Sequence, residues 1–117
     1  MLALITGASN GLGKDFAKEL SKQGYDLVLV ARSKDKLDKL SSELKTLVYV
    51  EVMDLSVKEN AYKLYSKYKG KIDLLINNAG FGTFGEFTKT DLETELNMID
   101  LNITAYHILT KLFLQDF

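Results

Sequence analysis

A chain of 117 residues with 46% hydrophobic and 26% charged residues has room for one modest globular domain. Its 15 basic residues nearly balance 16 acidic ones, which leaves no basic field for a phosphate backbone or anionic lipid, so neither nucleic acid nor membrane is an expected partner. The absence of cysteine excludes disulfides and thiolate metal sites, and a chain opening without a basic leader or a long apolar run fits a cytoplasmic location.

Four short apolar runs alternate with four longer segments of helical period, the pattern of βαβ units and a parallel sheet. Strands are predicted over 2–6, 26–31, 47–53 and 73–77. Leu12, Phe16, Ala17 and Leu20 define the sheet-facing side of the first helix, and Gly24 supplies its C-terminal residue at positive φ. Ser33 can cap the second helix, where Leu37, Leu40 and Leu44 repeat at three and four residues and Lys34, Asp35, Lys36 and Lys39 form a solvated face. Ser56 with Glu59, and Thr90 with Glu93, have capping-box spacing before the third and fourth helices. Leu92, Leu96, Ile99, Ile103, Tyr106 and Thr110 then form one stripe of a single last helix. The only loose linker, 80–85, holds three glycines in six residues.

The first strand runs directly into Gly7-Ala8-Ser9-Asn10-Gly11-Leu12-Gly13 and a helix. Alone, such a cluster is equally well a tight turn. At the end of a strand it also lets a pyrophosphate approach bare backbone and the N–H groups of a helix start. A hydrolase-type phosphate loop does not fit, because Ala8 and Asp15 replace its first glycine and its hydroxyl residue. The Gly-x-Gly-x-x-Gly loop is absent too, since these glycines are spaced four and then two.

Thr6-Gly7-Ala8-Ser9-Asn10-Gly11-Leu12-Gly13, Asp54-Leu55 after the third strand and Asn77-Asn78-Ala79-Gly80 after the fourth resemble, in this order, the short-chain dehydrogenase/reductase family. The resemblance covers the whole chain, because Asn102 matches the asparagine that this family places in its fourth helix, where it helps hold a water beside the catalytic lysine. It implies that Ser9, Asn10, Gly11 and Leu12 meet the cofactor phosphates, that Asp54 accepts from the adenine amino group beside Leu55, and that Asn78, Ala79 and Gly80 border the ribose and nicotinamide. Asn77 would brace its strand, and Asp54 has the alternative of a simple loop acid near a helix start. Arg32 speaks to cofactor choice: an acid at the end of the second strand would bind the ribose hydroxyls of NAD, whereas Ala31-Arg32-Ser33 offers a guanidinium and a hydroxyl suited to a phosphate. NADP is expected over NAD, although Asn10 stands where some NADP-preferring relatives carry a second basic residue and an Arg after a strand can be only a surface charge.

The family's catalytic serine and Tyr-x-x-x-Lys pair lie beyond these motifs, and the one such spacing here, Tyr65 to Lys69, falls on the third helix as a solvated face. His107, the only histidine, reads as a structural or surface group. The expectation is therefore a Rossmann-type α/β domain over 1–117, C-terminally incomplete, with a four-stranded parallel sheet in order 3-2-1-4 and helices on both faces. Its parent would be an NADP(H)-dependent oxidoreductase acting on a carbonyl or alcohol, present here as an inactive piece left by truncation or proteolysis. The alternative is a non-catalytic NADP(H)-binding or interaction module. An apolar edge at Leu74-Leu75-Ile76, together with a last-helix stripe reaching Leu112 and Phe113, points to a homo-oligomer.

Overall fold

The computed structural model describes residues 1–79 and 91–116. Strands β1 (Leu2–Thr6), β2 (Asp26–Ala31), β3 (Val48–Val52) and β4 (Leu74–Ile76) form one sheet in the order β3-β2-β1-β4. Every pair is parallel, with Leu4 opposite Val28 on one side and Leu75 on the other. The outer strands are each a residue shorter at both ends than their apolar runs. At those ends Leu47 N–H donates to the Asp26 carboxylate, and Asp73 exchanges two bonds with the backbone of Leu2.

Among the described residues are five helices, α1 (Gly11–Lys22), α2 (Lys34–Glu43), α3 (Lys58–Tyr68), α4 (Leu92–Ile99) and α5 (Tyr106–Asp116), with a π-helical turn (Asp100–Ala105) between the last two. The central strands are buried on both faces, and their alternation sorts the core into two halves. Ala3, Ile5, Leu27 and Leu29 meet Ala17, Leu37 and Leu40 of α1 and α2. Leu4, Val28 and Val30 meet Ala61, Leu64, Tyr68, Leu109 and Phe113 of α3 and α5.

Several local expectations change. The buried side of α1 is Gly13, Ala17 and Ser21, whereas Leu12 is 66% and Phe16 40% exposed. Small residues four apart let the helix axis lie close to the sheet, and this closeness turns the larger side chains outward. The Ser56–Glu59 box does not form: the Ser56 hydroxyl and N–H both bond to Asp54 Oδ1, at 2.7 and 2.9 Å, and α3 begins after Val57 with no side-chain cap. The competing acceptor two residues away offers a closed local turn. Thr90 lies outside the described residues; ahead of α4 the Asp91 carboxylate accepts from Thr94 N–H at 2.9 Å. The last predicted helix is two helices separated by the π-helical turn, which rotates the stripe. Ala105, Ile108, Leu109 and Phe113 are buried, while Leu92, Leu96, Ile103 and Tyr106 are exposed. As expected, Ser33 caps α2, and Gly24 follows α1 at φ 95°.

Candidate functional site

At the C-terminal ends of the strands a cleft of about 320 Å³ opens between the β1–α1 loop, the start of α2 and the segments after β3 and β4. It is lined by Gly7, Ser9, Asn10, Val30, Ala31, Arg32, Ser33, Lys36, Met53, Asp54, Leu55, Asn78 and Ala79. Eight of the twelve expected cofactor-binding residues thus meet in one cavity. Parallel strands place their helix starts at the same edge, where ligands of such sheets bind.

The glycines of the β1–α1 loop serve three different needs. Gly7 holds φ 62° and would press a side chain to 2.9 Å from Ala79 Cα. A Cβ at position 13 would lie 2.1 Å from the carbonyl oxygen of Gly7, so Gly13 lets α1 rest on the loop and is not a gap for a ligand. Only Gly11, at φ 52°, faces open space. Gly11 and Leu12 open α1 just outside the cleft lining. Asn10 is the N-cap residue of α1 but makes no side-chain cap bond, and the first turn carries no acid. The positive end of α1 is therefore left to an anion.

Opposite the loop, Thr6 is fully buried and spends its hydroxyl completely. It accepts from the N–H groups of Asn78 and Ala79, both at 2.9 Å, and donates to Asn77 Oδ1 at 3.3 Å. Asn77 in turn donates to Tyr106 O and Thr110 Oγ1 at 3.1 and 3.2 Å, the bracing role expected of it. Asp54 accepts twice from Ser56 through Oδ1, and its backbone oxygen accepts from Asn60 Nδ2 at 2.8 Å. Its other carboxylate oxygen makes no hydrogen bond among the described residues.

Arg32 stands exposed at the end of β2 beside Ser33, with no acid at position 31. Lys36, expected on a solvated face, lines the same cleft and donates from Nζ to Asn10 Oδ1 at 3.3 Å. Composition carried no signal for this. The remaining clue was its position in the first turn after Ser33, on the side of the strand end. Met53 and Val30 were missed because they read as ordinary strand residues.

Tyr65 and Lys69 do not approach the cleft: the Tyr65 hydroxyl donates to Asp116 at 3.2 Å and its ring packs edge-on against Phe113 at 5.0 Å. His107 is exposed on α5. Asn102 falls within the π-helical turn, and Gly80 lies outside the described residues.

The model of the short chain dehydrogenase family matches residues 1–117. The chain belongs to the short-chain dehydrogenase family. Among its relatives is the human very-long-chain 3-oxoacyl-CoA reductase, 37% identical over 121 residues, an alignment covering 96% of this chain and 39% of the relative. A short-chain dehydrogenase from Sphingobium yanoikuyae, solved in complex with NADPH, is 35% identical with a TM-score of 0.87, over 96% of this chain and 46% of that one. L-sorbose reductase from Gluconobacter frateurii, solved with NADPH and L-sorbose, is 26% identical with a TM-score of 0.86, over 98% of this chain and 46% of that one. This short-chain dehydrogenase chain thus spans less than half the length of each.

No helix among the described residues is long and apolar enough to cross a membrane.

Proposed function

We propose that residues 1–117 form the NADP(H)-binding part of a cytoplasmic short-chain oxidoreductase acting on a small-molecule carbonyl or alcohol. The observation that carries this reading is Arg32 with Ser33 in the cleft at the end of β2, a cation and a hydroxyl where a carboxylate would favour NAD. The NADPH complexes of two similar proteins support it. Ser9, Asn10, Gly11 and Leu12 would receive the phosphates at the uncapped start of α1, with Gly7 and Gly13 shaping the loop. Asp54 and Leu55 would hold the adenine, and Asn78, Ala79 and Gly80 would border the nicotinamide side. Asn102 would help position a water next to the catalytic lysine of the complete protein.

When bound, the cofactor supplies the hydride exchanged with the substrate carbon. The described residues bind and orient it; no Tyr-x-x-x-Lys pair lines the cleft to move the accompanying proton, so the 117 residues by themselves are proposed to be inactive.

Calorimetric titration tests the reading. NADPH should bind about tenfold more tightly than NADH, and Arg32→Ala should erase the difference. Equal affinities for the unmutated protein would overturn the NADP assignment.

A further inference from the structure

We propose that Lys36 is a second cationic ligand for the 2′-phosphate of NADP(H), acting together with Arg32, and that Asn10 holds its ammonium ready until the phosphate arrives. The inference rests on the reading that this cleft takes NADP(H).

Two residues that would ordinarily satisfy local needs are diverted to meet here. Asn10 precedes α1 as its N-cap residue, yet its side-chain oxygen does not cap the helix. It accepts instead from Lys36 Nζ at 3.3 Å, a contact between residues 26 positions apart. Lys36 occupies the third position of α2, near the positive dipole end that disfavours a cation, in a turn that Ser33 caps and Asp35 shares. Lys34, in the same turn, offsets this cost by pairing with Asp38 at 2.5 Å. Among the described residues neither Lys36 nor Arg32 has an ion-pair partner.

The cleft lining therefore holds two cations, Arg32 and Lys36, beside the start of α2, and the ammonium of Lys36 meets only the neutral amide oxygen of Asn10. A phosphate dianion in this part of the cleft would give both cations the anionic partner that neither has among the described residues. Exchange of the amide for a phosphate oxygen converts a neutral acceptor into a charge-assisted one, which is the stronger bond. A free ribose hydroxyl, as in NAD(H), offers no such exchange. Lys36 should accordingly act on discrimination between the two cofactors.

The test measures NADPH and NADH affinities by calorimetry for the protein, Lys36→Met, Lys36→Arg and Arg32→Ala. Methionine keeps the unbranched stem on an exposed helix face while removing the charge. Lys36→Met should lower the NADPH-to-NADH affinity ratio about fivefold, and Lys36→Arg should restore it. The effect should shrink as ionic strength rises. An unchanged ratio in Lys36→Met, whether both affinities stand or both fall, would overturn the role given to Lys36. If Arg32→Ala then still erases the preference, the cofactor assignment survives and Lys36 alone is misassigned. A parent protein without preference for NADPH would overturn both.

Discussion

Thr6 concentrates more of the site's architecture than any other single side chain described. Its hydroxyl joins the end of β1 to Asn77, Asn78 and Ala79, the segment that closes the cleft beside Gly7. Thr6→Val preserves the shape but leaves two N–H groups without their acceptor, and an unmade bond at a buried group costs about 1 to 3 kcal/mol. Chemical denaturation should show a loss of that size, largely recovered in Thr6→Ser. NADPH affinity should fall with it, since Asn78 and Ala79 line the cleft. A second polar cluster, away from the cleft, has no part in the proposed function. The Tyr68 hydroxyl donates to Glu51, which Lys67 also meets at 2.7 Å, and burial pushes the phenol well above its usual range, with the Glu51 charge adding to the effect. This raised value is stabilising below the ordinary tyrosine range, and that stabilisation is lost only as pH climbs through alkaline values.

At the scale of elements, α1 shows how packing overrides a hydrophobic pattern. Of the side nominated by apolar spacing, Ala17 is buried and Leu20 packs against the core, but Leu12 and Phe16 turn outward and Gly13 and Ser21 take their place, because only small residues permit the approach that Gly13 makes to the carbonyl oxygen of Gly7. Ala17→Leu should therefore overpack the α1–sheet contact and cost about 1 to 3 kcal/mol. Phe16→Ala, on the exposed side, should cost far less. Thermal unfolding of the two variants distinguishes this arrangement from the one that side-chain size alone implies, which would reverse their order. The π-helical turn is a comparable case: it shifts the phase of the helix between α4 and α5, so apolar residues continuous in sequence face different ways in space.

For the whole molecule, the sheet order leaves β4 at one edge, with no strand beyond it among the described residues. Leu75, Asn77, Tyr106, Thr110 and Leu114 line a cavity of about 230 Å³ beside that edge. Leu92, Leu96 and Ile103 are 68%, 51% and 61% exposed. An apolar edge strand and an uncovered apolar helix face each favour self-association, and we propose a homo-oligomer of this chain through these surfaces. Light scattering over a dilution series should show species larger than a monomer, and Leu75→Lys should shift them to monomer or unfold the protein. A monomer that persists at high concentration would overturn this proposal.

The four strands, their parallel order and the family are legible in the chain's own pattern. Strands buried on both faces must be apolar throughout, as Leu27 to Val30 are, and the turn chemistry around Gly7 and Gly24 is local to the chain. It also nominated most of the cleft, because each nominated residue lies within a few positions of a strand end. Only in the assembled fold is it settled that Gly13 and Ser21 of α1 are buried in place of Leu12 and Phe16, where the last helix breaks, which acceptor Ser56 finds and that Lys36 reaches the cleft. Those outcomes depend on which distant segments become neighbours: Asn10 meets Lys36 and Thr6 meets Asn78 only once β2 and β4 have taken their places on either side of β1. Local periodicity holds no information about such distances, and there the closeness of backbone to backbone settles the contest between side chains.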